Sequence, residues 1–382
     1  MDFRCTHFAA ARCRSCELLP LGVSGSADSK QSLLLQLFPD VSLQPMQFSS
    51  TPAGSRIRAR LAVNWQSSPL TFGFFDQQQR IVPIADCPLH HPLISAAVPF
   101  LAEFIQQARL SPYDPDQDSG ELKFVVLTAA PDSSQLMVQW VLRSQESISR
   151  IRSLWNRLSQ SGQTTVHVMG AGIQSQRTSR IGADLEFSIS QTQQLEIRFG
   201  ELRLFFSPGG FVQTNHEIAT RLYAAAGQRI ALGIPGRVLD LYCGSGGFGL
   251  MAAMQGRRVL GLEKSQVAVE NACTSAAVMG LNAEFRQCSL DASLEALADA
   301  GQFSTVICNP PRRGLDPASR ALIQALAPQR VLYSSCSPQS LARDIQLLAP
   351  QFRPCWMQGF DMFPLTEHFE VLCELEQTGS KS

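Results

Sequence analysis

The sequence lacks both an excess of charge and a long apolar run. Its 382 residues carry 32 basic and 32 acidic side chains, and a net charge of zero argues against a protein that coats nucleic acid through bulk charge. No stretch approaches the roughly 18 apolar residues of a transmembrane helix, and the N-terminus has no apolar segment of the signal-peptide type. We therefore expect a cytoplasmic protein with no membrane partner. Because 45% of the residues are hydrophobic and 17% charged, a disordered chain is also excluded.

Cysteine, by contrast, is plentiful. Eleven cysteines, an odd number in a long chain, argue against a secreted disulfide scaffold. Cys5, Cys13 and Cys16 lie within twelve residues, and Cys87 follows in the segment ADCPLH. In a reducing compartment, four such thiols indicate a metal or cluster site, and by residue type zinc and an iron–sulfur cluster are both suitable. The long gap between Cys5 and Cys13 is not typical of a zinc ribbon and favours iron–sulfur; the alternative is four unliganded thiols.

The second half of the chain alternates between apolar runs and helical stretches. The predicted strands are 237–243, 257–263, 283–289, 304–311 and 330–336; the predicted helices are one that ends near 255, then 265–280, 291–299, 316–327 and 338–348. Strands that alternate with helices at this spacing indicate βαβ units and a parallel sheet. Two last strands, 352–361 and 368–376, are joined too closely for a crossover helix, so we expect them to pair antiparallel at the sheet edge.

The first half is less regular. Its predicted strands include 56–63, 70–76, 81–86, 123–130 and 135–142, and its predicted helices are 92–109 and 146–160. We interpret residues 1–210 as one α+β domain and residues 211–382 as a second, α/β domain. Arg56, Arg58 and Arg60 alternate along one strand face, where they are candidate phosphate contacts; the alternative is a solvated strand face.

The strand 237–243 leads into a glycine-rich turn, DLYCGSGGFG, from Asp240 to Gly249. Glycines let a ligand approach the backbone closely, and Glu263 at the end of the next strand can accept hydrogen bonds from ribose hydroxyls. The turn lacks the G-x-G-x-x-G pattern of dinucleotide sites. Its Asp-x-x-x-Gly form suggests S-adenosyl-L-methionine (SAM), which has no pyrophosphate; the alternative is an ordinary tight turn.

Three further motifs fall at strand ends on the same predicted rim, where open α/β sheets bind their ligands. CNPPRRG places Asn309 after a strand, YSSCSP places Cys336 between a strand and a helix, and EHFEVL places Glu370 in an apolar strand. A helix N-terminus lowers the pKa of a thiol and apolar surroundings raise that of a carboxyl, so this pair can serve as nucleophile and base. Gln213, in FVQTN, can hold the edge of a flat ligand. Taken singly, each motif also suits a structural role.

Together these motifs resemble the RNA uracil-C5 methyltransferase family. The family pattern F-x-Q-x-N, D-L-[FY]-C-G-x-G, a strand-two Glu, [DN]-P-P-R-x-G, S-S-C-[NS]-P and H-x-E occurs here in the same order, over nearly the whole chain. The resemblance implies a class I SAM-dependent methyltransferase fold, Rossmann-like with a seven-stranded sheet and an antiparallel edge strand, preceded by an α+β iron–sulfur and RNA-binding domain. The four cysteines make the chain most similar to the branch that methylates uracil 747 of 23S rRNA. With four residues before Cys5, we expect no additional N-terminal RNA-binding domain.

The resemblance also implies a role for each matching residue. Cys336 is the nucleophile and Glu370 the base; the SAM-binding positions are Gln213, Tyr242, Glu263 and Asn309; the ligands of a [4Fe-4S] cluster are Cys5, Cys13, Cys16 and Cys87. The expected reaction gives 5-methyluridine through a covalent adduct between Cys336 and carbon 6 of the uracil. The alternatives are another rRNA or tRNA uridine, an amino-group methyltransferase that acts through Asn309, and a non-catalytic iron–sulfur protein that binds RNA. The sequence indicates no obligate protein partner.

Overall fold

Two large sheets organise the chain. The computed structural model describes residues 3–64, 70–76, 80–114, 116–160, 165–175, 183–289, 297 and 302–379. The strands are β1 Leu43–Gln47, β2 Arg58–Asn64, β3 Thr71–Phe75, β4 Ile81–Pro83, β5 Leu122–Ala130, β6 Gln135–Leu142, β7 Val166–Ile173, β8 Leu185–Ser188, β9 Leu195–Phe199, β10 Leu202–Phe206, β11 Val238–Leu241, β12 Val259–Glu263, β13 Ala283–Gln287, β14 Thr305–Cys308, β15 Arg330–Ser335, β16 Phe352–Phe360 and β17 Glu370–Gln377.

Ten α-helices connect the strands in the described part of the chain. They are α1 Thr6–Ala9, α2 Gly22–Leu37, α3 Pro92–Ala96, α4 Val98–Gln107, α5 Ile148–Gln160, α6 His216–Ala231, α7 Gly247–Met254, α8 Gln266–Met279, α9 Pro317–Leu326 and α10 Pro338–Leu348. Several begin at side-chain caps of the expected chemistry. Asn215 caps α6, Ser265 caps α8 and Asp316 caps α9, each by accepting a hydrogen bond from a backbone N–H of the first turn. In the part of the chain described here, no helix combines the length and apolarity needed to cross a membrane.

The C-terminal sheet has eight strands in the order β1-β16-β17-β15-β14-β11-β12-β13. Strands β11 to β15 run parallel, and β17 pairs antiparallel with both β15 and β16. The predicted parallel sheet and the antiparallel pairing of the last two strands are thereby confirmed. The predicted count of seven strands and the predicted antiparallel edge were wrong, because β1 from the N-terminal half adds an eighth strand. It takes the edge beyond β16 in parallel pairing, so that β17 lies inside the sheet. The predicted helix at 291–299 lies outside the described residues, apart from Leu297.

The N-terminal half builds a seven-stranded sheet in the order β4-β3-β2-β5-β6-β7-β8, with a two-stranded sheet of β9 and β10 beside it. Helices α4 and α5 bury apolar faces against the seven-stranded sheet; Leu101 and Phe104 are completely buried, and the Phe104 ring stacks on Trp140 at 4.9 Å. The α+β character predicted for this half is confirmed.

Residues 18–47 belong spatially to the C-terminal sheet. Helix α2 packs on that sheet and leads into its edge strand β1. Lys30 in α2 donates to Asp361, just after β16, at 2.5 Å, and both side chains are 2% exposed. Leu18 N–H donates to the carbonyl of Leu365 at 3.0 Å. The segment that carries Cys5, Cys13 and Cys16 is therefore attached to the β16–β17 connection, while the division at 210/211 stays a prediction.

Candidate active site

Strand register brings the predicted site residues to one rim of the C-terminal sheet. In β11 and β14 Leu241 pairs with Cys308, and in β15 and β17 Ser335 pairs with Val371. The next residue along each strand continues this pairing. Asn309 therefore lies beside the start of the glycine-rich turn, and Cys336 lies opposite Glu370. Glu263 ends β12, three strands from β15, which corresponds to about 14 Å at the usual strand spacing. A ligand that spans the turn and the thiol therefore lies along a single rim.

Arg312 joins the thiol and the carboxyl of this rim. It lies within electrostatic range of both the Cys336 thiol and the Glu370 carboxyl, and its charge lowers the pKa of each. Cys336 is half-buried, whereas Glu370 is only 4% exposed and its Oε2 has no hydrogen-bond partner among the described residues. A nucleophile, a base and a cation in electrostatic range of both thus share one corner of the rim.

Burial shifts both titrating groups. It raises the pKa of Glu370 to about 8, against the opposing pull of Arg312, and this confirms the expected raised carboxyl pKa. Burial likewise raises the pKa of the Cys336 thiol, with the Glu370 charge adding to it and Arg312 opposing. The expectation of a lowered thiol pKa was therefore wrong, because desolvation outweighs the favourable effect of the helix start and of Arg312. Ionisation of Cys336 depends on the charge of Arg312.

The glycine-rich turn is held in shape by two carboxylates. Asp240, buried at the end of β11, accepts from Gly249 N–H at 2.8 Å, and burial raises the pKa of Asp240 to about 8. Glu263 accepts from Gly244 N–H at 3.1 Å and from Ser265 N–H at 2.9 Å. Gly244 has φ 53°, and a side chain added there would meet no atom within 4 Å. The turn therefore faces open space, which fits a ligand that lies close to the backbone.

Tyr242 and Asn309 flank this space. The Tyr242 hydroxyl donates to Asp316 at 2.8 Å and lies 2.7 Å from the Ser319 hydroxyl, so it holds the start of α9. Asn309 N–H bonds the Leu241 carbonyl at 3.4 Å, which fixes the loop after β14 against the turn. Both residues are half-buried at the rim. Their contact with SAM stays a prediction.

Asp344, in α10, was missed by the sequence analysis although it organises the Pro-Pro loop. It is fully buried and accepts from Leu315 N–H and from the Tyr333 hydroxyl, both at 2.7 Å. The loop that carries Arg312 is therefore anchored from behind. A polar residue on the buried side of a predicted helix was the available signal.

Gln213 makes none of the rim contacts described above. It is 4% exposed and sits in the segment that enters α6, where the neighbouring Thr214 carbonyl accepts from Ile57 N–H at 2.8 Å. Phe211, two residues earlier, is 72% exposed. The role of Gln213 in binding SAM stays a prediction.

A groove opens directly over the thiol. Its volume is about 730 Å³, within the range of small-ligand sites. One wall belongs to the catalytic rim and includes Arg312, Cys336 and His368; the other belongs to α2 and includes Ser29, Ser32 and Gln36. The site is thus bounded by a helix that the sequence analysis did not predict.

The four predicted ligand cysteines lie close enough to affect one another's charge. Burial raises the pKa of the Cys16 thiol to about 12, and Cys87, Cys13 and Cys5 add to the shift through their charges. Burial also raises the pKa of Cys87, next to Cys5 and Cys13. All four side chains are half-buried. We call Cys5, Cys13, Cys16 and Cys87 the cysteine quartet; it joins the segment attached to the C-terminal sheet to the loop after β4.

The spacing of the quartet bears on what it can hold. Within the described residues, the group of three ligand atoms that lie within 4.8 Å of one another consists of Cys355, Glu374 and Glu376, not of quartet thiols. Four sulfurs around one zinc ion at about 2.3 Å lie only about 3.8 Å apart, and no three quartet sulfurs lie that close among the described residues. At the other group, Glu374 is already paired with Arg229 at 2.5 Å and with Arg330 at 2.7 Å. That group is a salt-bridge network rather than a metal site.

The arginines predicted to form one phosphate-binding face have other partners. Arg58 donates to the Thr128 hydroxyl at 3.0 Å, and burial lowers its pKa to about 10. The Arg60 guanidinium lies 3.6 Å from the centre of the Phe124 ring. Arg56 lies within electrostatic range of Cys16 and Cys87, where it lowers their thiol pKa values. These contacts do not support the prediction of a shared RNA-binding face.

Comparisons with known proteins give one consistent result. A family model described as tRNA (Uracil-5-)-methyltransferase matches residues 24–378. Curated relatives named 23S rRNA (uracil(747)-C(5))-methyltransferase RlmC are 34% identical: that of Shewanella amazonensis over 97% of both chains, and that of Proteus mirabilis over 97% of this chain and 98% of its own. The crystal structure of the Pyrococcus abyssi tRNA (uracil-54, C5)-methyltransferase with S-adenosyl-L-homocysteine superposes with a TM-score of 0.77, 24% identity, and coverage of 94% of this chain and 85% of that one. This likeness confirms the fold class predicted for the C-terminal half.

Proposed function

The chain belongs to the tRNA (uracil-5-)-methyltransferase family, and from that premise we propose that it transfers the methyl group of SAM to carbon 5 of uracil 747 in 23S rRNA. The observation that carries this proposal is the placement of Cys336 opposite Glu370, with Arg312 in electrostatic range of both, on the rim that also bears Glu263. Full-length relatives named for uracil 747 support the choice of RNA. Such a protein works beside the ribosome's RNA in the cytoplasm.

The chemistry follows from the weakness of uracil carbon 5 as a nucleophile. The Cys336 thiolate adds to carbon 6, and the electron pair of the 5,6 double bond moves into an enolate, which makes carbon 5 nucleophilic. When bound, SAM would supply an electrophilic methyl group to carbon 5; the electron pair of the broken sulfur–methyl bond would stay on the sulfur, which leaves as S-adenosyl-L-homocysteine. Glu370 then accepts the proton of carbon 5, the double bond re-forms, and the sulfur leaves as thiolate. Arg312 stabilises that thiolate at both ends of the reaction.

The cofactor positions follow from the same rim. We assign Glu263 to the ribose hydroxyls, since its carboxylate stands beside the open space at Gly244. Asn309 and Tyr242 flank that space, and Gln213 completes the set by its match to the family pattern. The unpartnered Oδ1 of buried Asp240 and the empty volume before Gly244 both fit a bound ligand.

We further propose that the cysteine quartet holds a [4Fe-4S] cluster. Four half-buried thiols from two distant segments are the usual ligand set, and a sulfur spacing wider than that around one zinc ion favours the larger cluster. When bound, the cluster supplies a cross-link between the segment before α2 and the loop at Cys87. Methyl transfer moves no electrons between redox centres, so the quartet serves structure and positioning.

The test is methylation of defined RNAs. The purified protein, with its cluster analysed for iron and inorganic sulfide, is incubated with labelled SAM and transcripts of 23S rRNA, 16S rRNA and tRNA. We expect label in 23S rRNA and a single 5-methyluridine, mapped by mass spectrometry to position 747.

Two results would contradict the proposal. Label at a uridine of tRNA or 16S rRNA with none at 747 would refute the substrate. Label on an amino group, or a Cys336→Ser variant that methylates at the normal rate, would refute the thiol mechanism.

A further inference from the structure

The groove above Cys336 has a second wall with no assigned role. Residues 29, 30, 32, 33 and 36 of α2 line it. Residues 29, 32, 33 and 36 recur at the i, i+3, i+4, i+7 spacing of a single helix face, while Lys30 lies behind them, 2% exposed and paired with Asp361. Ser29, Ser32 and Gln36 are exposed in the groove. The opposite side of α2, with Ala27, Lys30 and Leu34, is buried against the C-terminal sheet. One helix therefore faces the sheet with one side and the catalytic thiol with another.

We propose that this groove face of α2, defined by Ser29, Ser32 and Gln36, binds the sugars and base edges of the nucleotides next to the target uridine. The inference rests on the proposed function and deepens it by naming a substrate subsite. Because the three side chains that define this face are uncharged, and the charge of Lys30 is paired with Asp361, the face suits ribose hydroxyls and base edges rather than phosphates. Arg312 on the opposite wall supplies the positive charge that a phosphate needs.

The dimensions fit a short single strand. From residue 29 to residue 36 the helix rises about 10 Å at 1.5 Å per residue. Stacked nucleotides rise about 3.4 Å each, so the face spans two to three of them. The same groove contains Cys336, so a uracil placed at the thiol has its neighbours against α2. Leu18 and Leu33 add apolar surface on which a base can lie.

The wall is fixed in place relative to the thiol. The buried Lys30–Asp361 pair joins α2 to the connection between β16 and β17, and Lys30 also donates to the Phe363 carbonyl at 3.1 Å. That connection carries His368 into the groove and leads directly to Glu370. A rigid second wall holds flanking nucleotides at a constant distance from the nucleophile, as positioning of the target carbon requires.

The experiment introduces the same charge on two sides of one helix. Ser32→Glu and Gln36→Glu place a carboxylate in the groove, whereas Ser24→Glu, also exposed on α2 but outside the groove lining, is the matched control. With a 23S rRNA hairpin that contains uracil 747, we expect the groove variants to raise KM for RNA at least about tenfold, with kcat and SAM affinity unchanged. The control should stay within about twofold. Equal effects at all three positions, or none in the groove, would overturn the inference.

A second experiment removes hydrogen-bonding groups from the groove instead of adding charge to it. Ser32→Ala and Gln36→Ala should each weaken hairpin binding by about fivefold, the effect of one net hydrogen bond. Replacing the flanking riboses by 2′-deoxyriboses should weaken binding to the unaltered protein more than to the double alanine variant. Equal weakening would overturn the sugar contact. If the unaltered protein methylates no uridine, the proposed function fails, while hairpin affinity still decides whether the groove face binds RNA.

Discussion

The molecule contains two thiol sites with opposite requirements. At the catalytic rim, a half-buried Cys336 lies beside Arg312, which lowers the thiol pKa against the effect of burial. In the cysteine quartet, Cys16 is surrounded by three other thiols that raise its pKa further, to about 12. A nucleophilic thiol must alternate between its charged and neutral forms. One adjacent guanidinium is sufficient to stabilise the charged form for part of the reaction. Four clustered thiols become stable as thiolates only when a positive centre binds all of them.

The two sites also differ in how the chain assembles them. Register in adjacent strands brings Cys336 and Glu370 together, so the rim forms wherever the C-terminal sheet forms. The quartet combines residues 5–16 with Cys87, and no strand pair connects those segments. The rim is therefore formed by strands of a single sheet, whereas the quartet brings together two separate segments of the chain. The predictions that follow test this contrast, from the largest expected effect to the smallest.

Cys336→Ala should reduce methyl transfer by at least ~10⁴-fold, because loss of a covalent nucleophile removes the reaction path itself. Labelled SAM and the 23S rRNA hairpin give the rate. Cys16→Ala is the matched control at the other site, and we expect its folded fraction to retain activity within about tenfold. Equal losses in both variants, with the fold intact, would erase the contrast between the two sites.

Glu370→Gln should slow turnover by about 10²- to 10⁴-fold after the methyl group has been transferred, because no base remains to take the carbon 5 proton. The methylated RNA–protein adduct should then accumulate on denaturing gels. In the unaltered protein the pKa of Glu370 is raised to about 8, so the ionised, basic form grows with pH and adduct resolution should accelerate from pH 7 to 9.

The same shift has a consequence for stability. The carboxyl titrates near its ordinary value of 4.5 in the unfolded chain and about 8 in the folded one. The folded chain therefore holds a proton that the unfolded chain has lost, and stability falls as the pH rises from about 4.5 to about 8. Buried Asp240, whose pKa is also raised to about 8, contributes a decline over the same range, so Glu370→Gln should make the decline in urea unfolding shallower without abolishing it. An unchanged slope would contradict a raised pKa for Glu370.

Cys87→Ala should destabilise the N-terminal half by several kcal/mol, because it removes one ligand of the cross-link at the quartet. Iron content, thermal unfolding and SAM affinity by calorimetry measure the three consequences. We expect iron to be lost and SAM binding to persist. If SAM binding disappeared while the C-terminal sheet stayed folded, the quartet would have to act on the rim directly.

Lys30→Met should cost about 3–5 kcal/mol, since it leaves the Asp361 charge buried without its partner. The pair joins α2 to the connection between β16 and β17, which leads to Glu370. This variant therefore tests how strongly the N-terminal segment is attached to the catalytic rim. The double variant Lys30→Met, Asp361→Leu should recover most of the loss in urea unfolding. If it recovered nothing, the charges themselves would not be what joins the two elements.

Arg312→Gln should slow alkylation of Cys336 several-fold at neutral pH, because the guanidinium that lowers the thiol pKa is gone. Arg313→Gln is the matched control, exposed and adjacent in sequence. The rate of iodoacetamide labelling at Cys336 across pH gives the shift. An equal change in both variants would show that the general charge of the loop, rather than Arg312, controls the thiol.

Much of the rim was predictable because local patterns determine it. Apolar runs alternating with helices predicted strands that match β11, β12, β14 and β15, and the carboxyl ends of parallel strands meet at one edge. The raised pKa of Glu370 was also predictable from a local pattern, because a carboxyl within an apolar strand is buried. The prediction that failed was the lowered thiol pKa of Cys336. The sequence shows the helix start, which lowers that pKa, but not the depth of burial, which raises it more.

Long-range contacts account for the rest. Lys30 and Asp361 are 331 residues apart, and no local pattern links them. Helix α2 begins with glycines and serines, which are weak helix formers, so only packing against the sheet shows that it is a helix. The groove wall that α2 provides was therefore invisible in the sequence, although the thiol it faces was not.

The most direct test of the account is to identify the atom that bonds to the RNA. The 23S rRNA hairpin with 5-fluorouracil at position 747 is incubated with the protein and SAM, and the covalent complex is digested and sequenced by mass spectrometry. Since fluorine cannot leave as a proton does, the methylated adduct should be trapped on the peptide that contains Cys336. A trapped adduct on any other cysteine, or methylation of the unsubstituted hairpin by a protein that forms no adduct, would contradict the account.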